Sequence, residues 1–147
     1  MRWRLLDRVS QVAAWELARG RKAVSFEEYT LREPFGREGS LPETMVIESC
    51  VELLRWLVAD SSDFELTCLL EAIVGFGFSG DAGMGDCLDI VVTVTSREKS
   101  FLMADCQVKV GNRDIANGIL RVGLVPMAES FDIAWMRGRW SDLYATA

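Results

Sequence analysis

The feature that most restricts how this chain can fold is the run PETMVIESCVELLRWLVAD, from Pro42 to Asp60. Pro42 suits the first turn of a helix, and Glu43 and Thr44 put a negative charge and a hydroxyl at the positive end of its dipole. Met45, Val46, Ile47, Cys50, Val51, Leu53, Leu54, Trp56, Leu57 and Val58 then leave apolar groups around most of the circumference. A helix of that kind needs other structure wrapped around it, because a surface helix carries one wide polar face. The polar groups it does have, Thr44, Glu48, Glu52 and Arg55, form a narrow stripe at helical spacing. On spacing alone the stripe is a hydrated seam in which Arg55 supports Glu52 or Glu48.

The flanking sequence supplies the wrapping. Four stretches rich in Val, Ile, Leu and Phe follow the helix and are predicted to be strands: Phe64–Phe76, Cys87–Ser96, Phe101–Val110 and Ile115–Met127. Turn chemistry separates them in SGDAGMGD, SREKS and GNRD, and the last two connectors are short enough for antiparallel hairpins. Upstream, Leu5 to Ala13 suits either a strand or a short helix. Ala18 to Lys22, around Gly20, reads as a turn, and Lys22 to Leu31 alternates as a strand. Pro34 and Gly36 open a loop reaching Leu41, and the C-terminal stretch from Glu129 suits a short helix or an ordered tail. The expected architecture is a single α+β domain over residues 1–147, an antiparallel sheet curled around one long central helix.

Composition narrows the function. The chain of 147 residues contains no histidine, so Ser-His-Asp, Cys-His and His-metal chemistry are excluded. Cys50, Cys68, Cys87 and Cys106 stand singly, which fits buried thiols better than a zinc site or a disulfide framework. No cofactor and no metal are expected. A net charge of −6 opposes sequence-independent nucleic-acid binding, and no apolar run is long enough to span a membrane. The N-terminus meets Asp7 and Arg8 before any apolar run develops, unlike a signal peptide, so a cytoplasmic location is expected. GFGFSG, Gly75 to Gly80, matches a dinucleotide-loop pattern but runs into a turn and a strand instead of a helix. Its glycines more simply let a strand bend around the helix.

Five pieces, in order, resemble the hotdog fold and within it the β-hydroxyacyl-acyl-carrier-protein dehydratases. These are LLDRV (Leu5–Val9), GRKAVSFEEYTLREPF (Gly20–Phe35), LPETMVIES (Leu41–Ser49), GFSGDAGMGDCLDIVVTV (Gly77–Val94) and VKVGNRDIANGILRVGLV (Val108–Val125). That family works with a histidine on the loop before the helix and an acid on the helix, in a tunnel at a dimer interface. Glu48 matches the acid. Where the family has Gly-His-Phe-Pro-Gly, this chain has the shorter GREGS, Gly36 to Ser40, and the histidine is not matched.

The resemblance implies a homodimer, or a heterodimer with a related subunit, whose tunnel is lined by Pro42, Met45 and Glu52 around Glu48. A carboxylate held there leaves water and becomes a competent base near neutral pH. Glu38 is the one acid in the shortened loop that an acid–base pair with Glu48 can draw on, against the plainer reading of an exposed loop residue. Cys50 sits on the apolar side and is expected in the core.

The resemblance further implies acyl thioesters on coenzyme A or an acyl carrier protein as substrate. A basic patch at Arg2, Arg4 and Arg8, or at Arg137 and Arg139, would steer an acidic carrier, against the alternative of an ordinary mixed-charge surface. Trp3, Trp135 and Trp140 are candidates for a dimer or terminal packing contact. The leading expectation is a dehydratase-like protein that binds or processes acyl thioesters in fatty-acid or polyketide-type metabolism; the alternatives are a non-catalytic acyl-binding or partner subunit and a thioesterase using Glu48 as base.

Overall fold

The computed structural model describes residues 5–25 and 41–144. Within them the chain runs β1 (Arg8–Ala13), β2 (Leu17–Ala23), α1 (Glu43–Ser61), β3 (Leu66–Phe78), β4 (Cys87–Arg97), β5 (Phe101–Val110), β6 (Arg113–Pro126), a 3₁₀ turn (Met127–Glu129) and α2 (Ile133–Leu143). The strands form one six-stranded antiparallel sheet in the order β1-β2-β4-β5-β6-β3. Its inner face, with Ala18, Leu88, Ile90, Val92, Leu102, Ala104, Val108, Leu120 and Val122, closes on α1. Val46, Cys50, Leu53, Leu54, Leu57 and Val58 of the helix are buried in return. The apolar helix predicted from Pro42 onward is thus the core element, with Pro42 as its N-cap.

The β4–β5 and β5–β6 hairpins form as the short connectors predicted. The open choice over residues 5–13 resolves as a strand, and the C-terminal stretch as a helix. Asp132 caps that helix by accepting from the Ala134 and Trp135 backbone N–H groups.

One expectation is overturned. Ala18 to Lys22 is no turn; it lies inside β2, paired with β4 from Leu17↔Thr93 to Ala23↔Cys87. The strand placed at Lys22–Leu31 therefore ends at Ala23, and its residues 26–31 lie outside the described ones. Gly20 misled the reading. A Cβ there would come within 3.1 Å of both the Arg8 carbonyl oxygen and Leu53 Cδ1, so glycine serves the close approach of strand and helix. The real turn sits upstream, where the Glu16 N–H donates to the Ala13 carbonyl and Trp15 takes a left-handed φ of 60°.

No helix of the described residues is long and apolar enough to cross a membrane.

Candidate functional site

The sheet does not enclose α1 completely, and the polar stripe marks the gap. Thr44 and Glu48 are exposed, and Glu52 and Arg55 are half-buried. Arg55 donates from Nη1 to Glu52 Oε2 at 3.0 Å and from Nε to the Cys68 carbonyl at 3.4 Å. The hydrated-seam reading therefore holds for Glu52, and the pair ties the stripe to the start of β3. Glu48 is left out of it. No hydrogen bond or ion pair links its carboxylate to a described residue.

Bonds from Arg55 to the Cys68 carbonyl and from the Leu66 N–H to Ser62 Oγ set the C-terminal half of α1 beside the first residues of β3, and Leu69 to Val74 lie further along that strand.

Those residues belong to a sheet edge. β3 pairs with β6, and among the described residues no strand covers its other side. Register shifts at Leu70/Ala72 and Ile73/Gly75 disturb the ladder there. They leave Ile73 and its neighbour Val74 both exposed, at 48% and 55%, with Leu69 at 51%. An unpaired strand carrying three such groups is a template for another chain.

The other half of the gap is closed from within the chain. Trp140 of α2 stacks on Trp56 with ring centroids 5.4 Å apart, and Tyr144 stacks on Trp140 at 4.8 Å. Tyr144 bridges to Val9, and Arg137 reaches Asp63 at 3.1 Å. So α2 straps the C-terminal half of α1, while Thr44 and Glu48 in the other half are exposed. Trp56 Nε1 is buried behind the strap without a hydrogen-bond partner.

The remaining predicted residues are placed as follows. Pro42 and Met45, named for the tunnel, are half-buried near the start of α1, in the same N-terminal half as Glu48. Glu38, Arg2, Arg4 and Trp3 lie outside the described residues. Arg8 is exposed on β1, opposite Arg21, with Arg19 on the same outward face. Arg137 is engaged with Asp63, Trp140 is a terminal packing residue, and Trp135 is exposed. Cys50 is buried as expected. A hydrogen bond to Cys106 and burial push its thiol well above the ordinary range. Burial likewise pushes Cys68 up to about 12, against the opposing charge of Arg55. Neither thiol is a nucleophile at neutral pH. Lys22, fully buried on the inner face of β2, was not singled out in the sequence, where it reads as one more strand residue.

No family model matches the chain, and no curated protein matches it. Solved structures do. The fluoroacetyl-CoA thioesterase FlK superposes with a TM-score of 0.69 at 12% identity, over 88% of this chain and 98% of that one. A hot-dog-like protein from Thermanaerovibrio acidaminovorans gives 0.67 at 15% identity, over 86% and 93%. A Streptococcus mutans protein bound to acetyl-CoA gives 0.66 at 11%, over 81% and 88%. The chain has the hotdog fold. At such identities the likeness concerns the fold alone. Glu48 is exposed on α1, and among the described residues β3 is an uncovered edge of the sheet.

Proposed function

We propose that this hotdog protein hydrolyses acyl thioesters as a dimer, with Glu48 as the base. Two observations carry the proposal: the exposed Glu48 carboxylate on α1, without an ion-pair partner among the described residues, and the uncovered apolar edge of β3. A second copy adding its own β3 to that edge would complete the sheet ladder and roof the gap into a slot. Met45, Ile73 and Val74 would supply apolar wall, and Glu48 would look in from the helix.

In that slot Glu48 takes a proton from water as the water oxygen attacks the thioester carbonyl carbon. The C–S bond then breaks and the sulfur leaves with the electron pair. The chemistry of the leaving group favours this reaction over dehydration. A thiol ionises near pH 8.5, so thiolate departs without a strong acid. Dehydration must expel hydroxide, whose conjugate acid has a pKa of about 15.7, and the histidine that serves this in the dehydratase family is absent here. Dehydratase-like lyase activity is accordingly the weaker expectation.

Coenzyme A and an acyl carrier protein both remain candidate carriers. For the carrier protein, the exposed Arg8 and Arg19, on the same outward face as the Asp89-paired Arg21, form a local basic patch on an acidic chain, suited to an acidic partner. Lack of histidine also supports a second reading, in which the chain lends Glu48 to a histidine-bearing hotdog subunit.

The test is to incubate the purified chain with saturated, enoyl and 3-hydroxyacyl thioesters while following free thiol and hydration. Glu48→Gln should cut thiol release about 100-fold or more and leave folding intact. Binding detected by calorimetry without turnover would favour the partner-subunit reading. Neither turnover nor binding would end both.

A further inference from the structure

An open surface groove of about 370 Å³ lies at the far end of α1, between the β1–β2 turn and the β4–β5 hairpin. Trp15, Leu66, Leu124, Arg97, Glu98 and Lys99 line it. From Ser61, beside this groove, Glu48 is about 20 Å back along the helix, so the two places are distinct.

Trp15 is held there against its own backbone preference. Its φ of 60° is a genuine outlier for so bulky a residue. A hydrogen bond from its backbone N–H to Ser61 Oγ at 2.8 Å secures the turn to the helix. Strain of this kind persists only where the surroundings enforce it, and it gathers at ligand sites. The opposite wall is also anchored. The Glu98 N–H donates to the Phe101 carbonyl and the Leu124 N–H to the Ser100 carbonyl, each at 2.8 Å.

The charges point the same way. Arg21, Arg55, Lys109, Arg113, Arg121 and Arg137 each have a carboxylate within 4.0 Å. Arg97 and Lys99 have none among the described residues, as is also true of Arg8, Arg19 and Arg139, but these two stand two residues apart on one hairpin of an acidic chain. The Arg97 guanidinium instead lies over the Trp15 ring, 4.5 Å from its centroid. Stacked in this way, a guanidinium keeps its N–H edge for an oxyanion. Lys99 adds a second positive group beside it. Leu66, Leu124 and the indole offer apolar surface, and Glu98 offers an acceptor for amino or hydroxyl groups.

We infer that this groove binds a nucleotide-class anion. Its phosphate would meet Arg97 and Lys99, its planar base would pack on the apolar wall, and its amino or ribose hydroxyl groups would meet Glu98. Free nucleotides and the nucleotide end of a coenzyme A thioester share this chemistry. The second source rests on the acyl-thioester reading above, and the first does not.

The experiment is calorimetric titration of the full chain with adenosine 3′,5′-bisphosphate, ADP, coenzyme A, adenosine, pantetheine and inorganic phosphate. Adenosine bisphosphate, ADP and coenzyme A should bind at least about tenfold tighter than adenosine or pantetheine, and phosphate should compete weakly. Coenzyme A binding about tenfold tighter than ADP identifies the coenzyme as the source; equal affinities identify free nucleotide. The exposed pair Arg97→Gln/Lys99→Gln should weaken nucleotide binding about tenfold or more while lowering the melting temperature by no more than about 4 °C, the loss expected from the Trp15 stack. Nucleotide affinity unaltered in that double variant, or no heat from any nucleotide at millimolar concentration, overturns the inference. Hydrolysis of a truncated thioester without a nucleotide reports on Glu48 alone, so failure of the hydrolase reading is told apart from failure here.

Discussion

Two glycines on neighbouring strands should respond to the same substitution with opposite sign. Gly118 of β6 pairs with Phe76 of β3, just past the second register shift. A Cβ built on it would stand well under 3.0 Å from the Gly75 carbonyl oxygen and 2.6 Å from Phe76 Cγ. Ordinary contact begins near 3.4 Å, so Gly118→Ala must drive the two strands apart by the better part of an ångström. Overpacking of a tight site costs about 1–3 kcal/mol. The upper end applies here because the obstructing atom is backbone, which cannot swing aside. At about 2–4 °C per kcal/mol for a chain of this size, the melting temperature should fall by about 6–12 °C. Gly75 faces open space, with nothing within 4 Å of an added Cβ, and its φ is not positive. Gly75→Ala should lie between neutral and about 1 kcal/mol stabilising, through the lost freedom of the unfolded chain. Scanning calorimetry on both variants decides it. If Gly118→Ala melts with the parent protein, or both variants lose stability alike, the close β3–β6 approach is wrong.

Three further outcomes are expected. Thr67 is buried with its hydroxyl unpartnered, so Thr67→Val should remove a desolvation cost and raise stability by about 1 kcal/mol, read as a rise in denaturant midpoint at constant slope. Cys68 is held up to about 12, above the ordinary thiol value it regains on unfolding. Below that ordinary value its contribution is fully present. Above it the unfolded chain sheds the proton first, so stability should fall by about 1.4 kcal/mol per pH unit from about pH 9 towards 12; Cys68→Ala should flatten that slope. Val74→Lys, at an exposed edge position, should change monomer stability by less than about 0.5 kcal/mol. In light scattering it should shift a dimer towards monomer, and a variant dimer as tight as the parent would exclude the β3 edge as the contact.

Much of this fold could be read along the chain because its signals are local. The all-round apolar run of α1 has one physical solution, burial, and β4, β5 and β6 are bounded by turn chemistry within a few residues of each end. Glu48 was legible as part of a polar stripe because helical spacing is also local. The misreading around Gly20 shows where that stops. Glycine there answers to Leu53 and the Arg8 carbonyl, contacts between residues distant in sequence, and no window around Ala18 to Lys22 contains them. The same holds for the site. β3 precedes β4 in the chain but pairs with β6, and that long-range choice leaves its other edge uncovered among the described residues. The Trp15, Arg97 and Lys99 groove likewise draws on two hairpins some eighty residues apart. Periodicity told which side chains leave water; pairing between remote strands decided which of them meet.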